Sequence, residues 1–284
     1  SGIISIGAGS AGLYIKDGKS VSNSGSIDSS GERAVGIYID GTNDITGENS
    51  GVIKLTGDKS VGVYITAGGS KIFNNSNTVE TGNSVSAIDP SIGIFNNNSQ
   101  GTVNNSGNIV SGENSIGIYN KGGMINHTAG DIITGTAGTG VYTNGGTAVL
   151  SGGKLVLSGE KTVGIYSTNG AVTDNNLEMS VSSGSYGVVL SKDSAYTGRN
   201  SSYVDNTGVL LYSDGKTSVI NEAGADVNMS GSDSIGFYMI NGGDITNKAA
   251  ITGNTGTANI GIYNKDGSID NSGDIKTGNS VIID

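Results

Sequence analysis

The sequence of 284 residues contains no cysteine and no tryptophan, and it has only one proline, one histidine and two arginines. Without cysteine there is neither a disulfide framework nor a thiolate metal site. No run of about 18 apolar residues is present, so the sequence predicts no transmembrane helix. No signal peptide is recognised at Ser1. These absences exclude several classes of protein before any motif is considered.

Positive charge is also scarce, because 15 Lys and Arg face 25 Asp and Glu for a formal net charge of −10. Nucleic-acid binding needs a basic footprint, and a polybasic membrane patch needs clustered Lys and Arg; neither pattern is visible. Glycine is abundant, with 50 residues, but it has no three-residue period and almost no accompanying proline, which excludes collagen. Regularly spaced Val and Ile argue against disorder, although apolar residues make up only 34%.

The abundant glycine belongs to a recurring phrase of Gly, an aliphatic residue and an aromatic residue. From Gly12 to Gly261, ten intervals cover 249 residues, so the period is about 25 residues. A fixed period in this range indicates a repeat architecture. The copies, including two looser ones at Gly187 and Gly208, begin at Gly12, Gly36, Gly62, Gly93, Gly117, Gly140, Gly164, Gly187, Gly208, Gly236 and Gly261.

One unit, from Ser115 to Gly140, contains three short strand patterns separated by glycine-rich turns and no helical pattern. Three strands in about 25 residues fit one coil of a single-stranded parallel β-helix, and the crossover preference predicts a right-handed one. We therefore predict an all-β solenoid of about 11 coils over residues 1–284. A β-propeller is the alternative, but its blades need roughly 40–50 residues.

Stacked coils turn each repeat position into a ladder. We expect Val35, Ile37 and Ile39 to face inward, and Gly36 and Tyr38 to face outward, so that the repeated aromatic residues stack on the surface. This aromatic ladder either supports the rod alone or also contacts a ligand. A second ladder of amides closes the second strand, with Ser151, Asp174 and His127 as substitutes. Its predicted members are Asn23, Asn74, Asn105, Asn221, Asn247 and Asn271.

Motifs of other protein classes are explained by the repeat. Gly7 to Gly12 matches G-x-G-x-x-G, but a strand pattern follows it where a dinucleotide-binding fold needs a helix. His127 has no partners that would suggest a catalytic triad, and Asp40 to Asp44 is interpreted as a turn. We predict no catalytic residues, no metal site and no cofactor.

The pattern is interrupted in two places, where a regular scaffold would carry binding residues. Between Gly62 and Gly93 the spacing grows to 31, with extra residues around Asn83–Pro90. A second region, Leu190 to Val209, contains tyrosines outside the ladder. Tyr and Arg are enriched in binding hot spots. Candidate partner-binding residues are therefore Tyr196, Arg199, Tyr203, Lys192 and Pro90.

The repeat as a whole resembles a known family. Units such as IGIYNKDGSIDNSGDI, from Ile260 to Ile275, look like the passenger domains of type V autotransporters, in particular the large fusobacterial outer-membrane adhesins. The resemblance implies a non-enzymatic adhesin on a Gram-negative cell surface. It also implies that a surface protein or glycan of another bacterium or of a host cell is the partner, with no nucleic acid and no membrane insertion of this segment.

The same resemblance makes the chain a segment of a longer passenger domain. Three alternatives remain: a polysaccharide-active β-helix enzyme, a stalk whose parent protein binds elsewhere, and a filament protein that assembles through open coil ends.

Overall fold

The computed structural model describes residues 2–253 and 257–277, and for residues 204–206 the backbone only. It contains 34 β-strands, and no helix lies within the described residues. The strands form three sheets of 12, 11 and 11 strands, in which every strand pairs with the strands three before and three after it. All pairs are parallel, so each coil contributes one strand to each sheet, as predicted for a β-solenoid of about 11 coils.

We name the sheets by their outer faces. The charged sheet contains β1 (Ile3–Ser5), β4 (Ser26–Ser29), β7 (Val52–Leu55), β10 (Val79–Thr81), β13 (Ile109–Ser111), β16 (Asp131–Thr134), β19 (Lys154–Leu157), β22 (Glu178–Ser180), β25 (Ser202–Asn206), β28 (Val227–Met229), β31 (Ile251–Gly253) and β34 (Ile275–Lys276). The aromatic sheet contains β2 (Ala11–Lys16), β5 (Val35–Asp40), β8 (Val61–Ile65), β11 (Ile92–Asn96), β14 (Ile116–Asn120), β17 (Thr139–Asn144), β20 (Val163–Thr168), β23 (Tyr186–Ser191), β26 (Val209–Ser213), β29 (Ile235–Met239) and β32 (Ile260–Asn264). The amide sheet contains β3 (Ser20–Asn23), β6 (Ile45–Asn49), β9 (Lys71–Asn75), β12 (Thr102–Asn105), β15 (Met124–His127), β18 (Thr147–Leu150), β21 (Ala171–Asn175), β24 (Ala195–Arg199), β27 (Ser218–Asn221), β30 (Asp244–Asn247) and β33 (Ile269–Asn271).

The core is one continuous column of aliphatic side chains between the three sheets. In the second coil, Ile37 and Ile39 of the aromatic sheet meet Ile53 and Leu55 of the charged sheet, and all four side chains are fully buried. Each coil rises by about 4.8 Å, so eleven strands of one sheet span roughly 50 Å. The narrow interior explains how a chain with few apolar residues still has a packed core.

The repeated glycine lies inside, which corrects the predicted arrangement. In β5 and β8 the residue before the glycine is half-buried, whereas Gly36 and Gly62 are buried, and so are Ile37 and Val63 after them. A Cβ atom on Gly36 would lie 2.5 Å from the Gly62 carbonyl oxygen and 2.6 Å from a methyl group of Ile53. The strand alternation is therefore interrupted, two successive residues face inward, and only glycine fits the first of these positions.

The aromatic residues face outward, as predicted. Adjacent rings lie 4.6–5.3 Å apart from Tyr14 to Tyr166, in stacked and edge-to-face arrangements. Val189 takes the aromatic position in β23, but Tyr186 of the same strand contacts Tyr212 at 5.6 Å between ring centroids. The ring contacts therefore run from Tyr14 to Tyr166 and again from Tyr186 to Tyr263, with a break at Val189.

The amide ladder exists with a different membership. In β9 the inward position is held by Asn75 and not by Asn74, and in β18 it is held by Leu150 and not by Ser151. Asn49 is a further member of the ladder. Its side-chain amides donate from coil to coil at 2.7–2.8 Å, and the Asn105 amide lies 2.8 Å from Nδ1 of His127. The prediction failed at Asn74 because β9 extends one residue further than the pattern indicated, and Asn74 belongs to an outer amide row with Asn104 and Asn126.

Candidate functional site

The largest departure from the coil outline is the segment between β10 and β11, which we call the 83–90 loop. It connects the charged sheet to the aromatic sheet, where the next coil needs only the short turn of Glu113 and Asn114. β10 and β11 on either side keep their pairing with the neighbouring coils. The extra residues therefore leave the solenoid as a surface loop, as predicted from the spacing.

Short hydrogen bonds organise the loop internally. Ser84 Oγ donates to the carbonyl oxygens of Asp89 and Ser86, at 2.7 and 3.2 Å. The backbone N–H of Ile88 donates to Ser86 Oγ at 3.1 Å, and Ser91 Oγ donates to the Asn83 carbonyl at 3.2 Å. Serine hydroxyl groups stabilise turns by such local bonds. The loop consequently has a defined conformation without help from a ligand.

Contacts to neighbouring coils hold the loop against the ridge between the two sheets. Asp89 pairs with Arg33 at 3.2 Å and with Lys59 at 3.6 Å, both from turns of earlier coils. On the other side, the backbone N–H of Ser84 donates to the Glu113 carbonyl at 2.8 Å, and that of Glu113 donates to Asn83 Oδ1 at 2.9 Å. Asp89 and Arg33 are exposed and Lys59 is partly exposed, so each ion pair contributes at most about 1 kcal/mol.

The loop displays two large apolar side chains. Ile88 is 95% exposed and Val85 is 75% exposed. Among the described residues, the only other large apolar side chain this exposed is Ile3, at 75%, on the first strand of the first sheet. Because the loop is ordered, little conformational entropy would be lost if a partner covered these two side chains.

The five predicted partner-binding residues separate into two groups. Pro90 is half-buried at the end of the 83–90 loop, and Lys192 and Arg199 are exposed on the coil surface. Tyr196 and Tyr203 are 2% and 1% exposed, so in this fold their side chains are not accessible to a surface partner. The structure therefore brings none of the other four residues to the loop that contains Pro90.

Leu190 to Val209 is a regular coil rather than the expected irregular loop. β24 and β25 pair with the coils on both sides, with one register shift between Tyr203 and Asn206. Tyr196 stands in register with Val172 and Val219, at an inward position. The burial of Tyr196 could have been inferred from the sequence, because a residue that aligns with valines in the adjacent coils takes the same inward position.

Inside this coil the two tyrosines surround a buried carboxyl group. The hydroxyl groups of Tyr196 and Tyr203 both donate to Asp174 Oδ2 at 2.9 Å, and Ser201 Oγ donates to Asp174 Oδ1. A Cβ atom on Gly198 would lie 2.8 Å from the Tyr203 hydroxyl oxygen, so glycine makes room for the rings. Burial raises the pKa of Asp174 to about 6, although the three hydroxyl donors oppose the shift.

Two other buried titratable side chains, His127 and Lys71, are held by hydrogen bonds within the solenoid. Burial lowers the pKa of His127 to about 4, so its imidazole is neutral in the amide ladder at pH 7. The Lys71 ammonium donates to the carbonyl oxygens of Gly41 and Gly68, and burial lowers its pKa as well. Within residues 2–253 and 257–277, no three His, Asp or Glu side chains are grouped to hold a metal ion. The same residues include no helix long and apolar enough to cross a bilayer.

Comparisons with protein-family models, with curated proteins and with solved structures find no significant match.

Proposed function

We propose that this chain is a non-enzymatic adhesin segment on the surface of a Gram-negative bacterium, a rigid β-solenoid that displays the 83–90 loop to a partner. The partner would be a surface protein of another bacterium or of a host cell. A protein is favoured over a glycan because the loop presents aliphatic side chains, which fit an apolar pocket better than a hydrated sugar.

The observation that carries the proposal is the exposure of Ile88 and Val85 on a loop with a fixed conformation. The coil does not need them, because the next coil makes the same sheet-to-sheet connection with Glu113 and Asn114. Two exposed aliphatic side chains on one short ordered loop form a local apolar patch, which supports a contact with a partner. The repeat architecture supports a rod that places this loop away from its attachment point.

The test measures binding of fluorescently labelled chain to bacterial cells and to cultured epithelial cells. Ile88→Ser removes the apolar tip and should weaken binding about tenfold, which is about 1.4 kcal/mol of binding free energy. Replacing residues 83–90 by Glu-Asn, as in the next coil, should abolish binding. Met124→Ser is the matched control, because Met124 is also a partly exposed apolar residue but lies on the amide sheet.

Circular dichroism should show unchanged β-structure in all three variants, since the flanking strands keep their partners. Binding that persists undiminished in the chain without the loop would contradict the proposal. That result would favour the stalk alternative, with recognition elsewhere in a longer protein.

A further inference from the structure

The outer face of the aromatic sheet is uncharged except at the ends of β2 and β5, where Lys16 and Asp40 lie and Asp40 accepts a hydrogen bond from the Tyr14 hydroxyl group at 3.1 Å. The face carries two rows of side chains that stand in register from coil to coil. One row is Ala11, Val35, Val61, Ile92, Ile116, Thr139, Val163, Tyr186, Val209, Ile235 and Ile260. The other, which we call the aromatic row, is Tyr14, Tyr38, Tyr64, Phe95, Tyr119, Tyr142, Tyr166, Val189, Tyr212, Tyr238 and Tyr263.

The other two outer faces combine polar and charged side chains with separate apolar ones such as Ile72 and Met124. The charged sheet carries ion pairs between Lys54 and Glu80 at 2.9 Å and between Lys154 and Glu178 at 2.7 Å. The amide sheet carries the hydrogen-bonded outer row that includes Asn104 and exposed acidic residues elsewhere. Apolar surface is therefore concentrated on one of three sides of the solenoid. Contiguous apolar surface of this kind indicates an interaction site.

The dimensions of the face suit a partner of similar size. Eleven coils at about 4.8 Å and four residues of strand at about 3.3 Å give roughly 700 Å² on this side of one molecule. A pair would bury roughly 1,400 Å² in total, in the lower part of the range for specific complexes. Most side chains on the face are half-buried by their neighbours, so the face is flat rather than grooved.

We infer that the outer face of the aromatic sheet is a self-association surface, on which a second copy of this chain packs side by side. Rows that repeat at every coil interlock best with a partner of the same repeat, and a second copy meets this condition. Sugar rings stack on exposed aromatic faces, but here each ring from Tyr14 to Tyr166 packs against the next at 4.6–5.3 Å, three pairs face to face and three edge to face. A second copy is therefore favoured over a glycan.

The net charge of the chain should affect the affinity between two copies. The net charge of −10 repels two copies, whereas the two rows of the face carry no charge and Lys16 and Asp40 at its end are of opposite sign. Added salt screens the repulsion and leaves the apolar contact in place, so association should strengthen as ionic strength rises. This inference rests on the face alone and does not depend on the 83–90 loop.

The test is sedimentation equilibrium of the wild-type chain from about 1 µM to about 1 mM at low and high salt. The expected result is a monomer–dimer equilibrium that shifts toward dimer with salt. The double variant Ile116→Glu and Val163→Glu places two carboxylates on the face, two coils apart, and should raise the dimer dissociation constant at least tenfold. The control, Asn126→Glu and Thr173→Glu, adds the same charge on the amide sheet in the same two coils.

A wild-type chain that stays monomeric up to about 1 mM overturns the inference without any variant. Equal weakening in both double variants also overturns it, since that result assigns the effect to net charge. Association that neither double variant weakens indicates another contact, such as stacking of open coil ends. A monomeric chain whose face variants lose binding to cells would place a cell-surface partner on this face instead.

Discussion

The 83–90 loop and the coil that contains Tyr196 and Tyr203 both depart from the repeat, in opposite directions. The loop adds residues outside the solenoid and exposes Ile88, whereas the coil keeps its strands and buries two large side chains. Length separates the two cases. Gly62 and Gly93 are 31 residues apart, but Gly187 and Gly208 are only 21 apart, which leaves no spare residues for a loop. In a coil without extra residues, an unusual side chain at an inward strand position is packed into the core.

The two regions should also differ in what their substitution changes. Core residues of the coil contribute to stability through packing and hydrogen bonds, and loop residues contribute to it little. The following three measurements compare them, beginning with the largest expected effect.

Tyr203→Ala should lower the free energy of unfolding by about 3–5 kcal/mol, because it leaves a cavity in the core and removes one donor from Asp174. Tyr203→Phe keeps the ring and should cost about 1–2 kcal/mol for the lost hydrogen bond. Denaturant unfolding monitored by circular dichroism gives both values. A loss below 1 kcal/mol for Tyr203→Ala would show that the ring is not packed as the structure describes.

Asp174 and His127 should change the free energy of unfolding in opposite directions as the pH is varied. The pKa of Asp174 is raised from 3.8 to about 6, so its contribution is fully present below pH 4 and is lost as the pH rises through 6. The pKa of His127 is lowered from 6.5 to about 4, so its contribution is present above pH 6.5 and is lost as the pH falls through 4. Each amounts to about 3 kcal/mol, and in the wild type they offset each other between pH 4 and 6.5.

Single variants separate the two contributions. Asp174→Asn should leave stability that rises with pH across this window, and His127→Asn should leave stability that falls. Urea unfolding at half-unit pH steps measures both slopes against the wild type. Identical slopes in the three proteins would contradict the burial of these two groups in the folded chain.

The smallest effect is expected in the loop. Asp89→Asn breaks the pairs with Arg33, which is exposed, and with Lys59, which is partly buried, and should cost about 1 kcal/mol of unfolding free energy or less. Thermal unfolding at low and high salt tests this, and the difference from the wild type should shrink with salt. A cost comparable to that of Tyr203→Ala would mean that the loop is part of the core structure, and the contrast between the two regions would fail.

The spacing of the glycines predicted the coils, and the alternation and turns within one unit predicted the three strands per coil and the outward aromatic row. Strand boundaries were less certain, and a shift of one residue at β9 moved Asn74 from the inner amide ladder to the outer face. The inward position of Gly36 was not predictable from alternation, because the interruption depends on the carbonyl of Gly62 and the methyl group of Ile53. Of the candidate site, the sequence located the 83–90 loop and Pro90, but not the exposure of Ile88.

What the sequence by itself determined is the repeat, since a period of about 25 residues with three strand patterns leaves few ways to pair the chain with itself. The tertiary structure decided which side chains are buried where the simple alternation is interrupted. Each residue in a solenoid takes its orientation from the coils stacked above and below it, and these neighbours are about 25 residues away in sequence. Tyr196 therefore lies inside with Val172 and Val219, while Ile88, which has no equivalent in the neighbouring coils, remains in solvent.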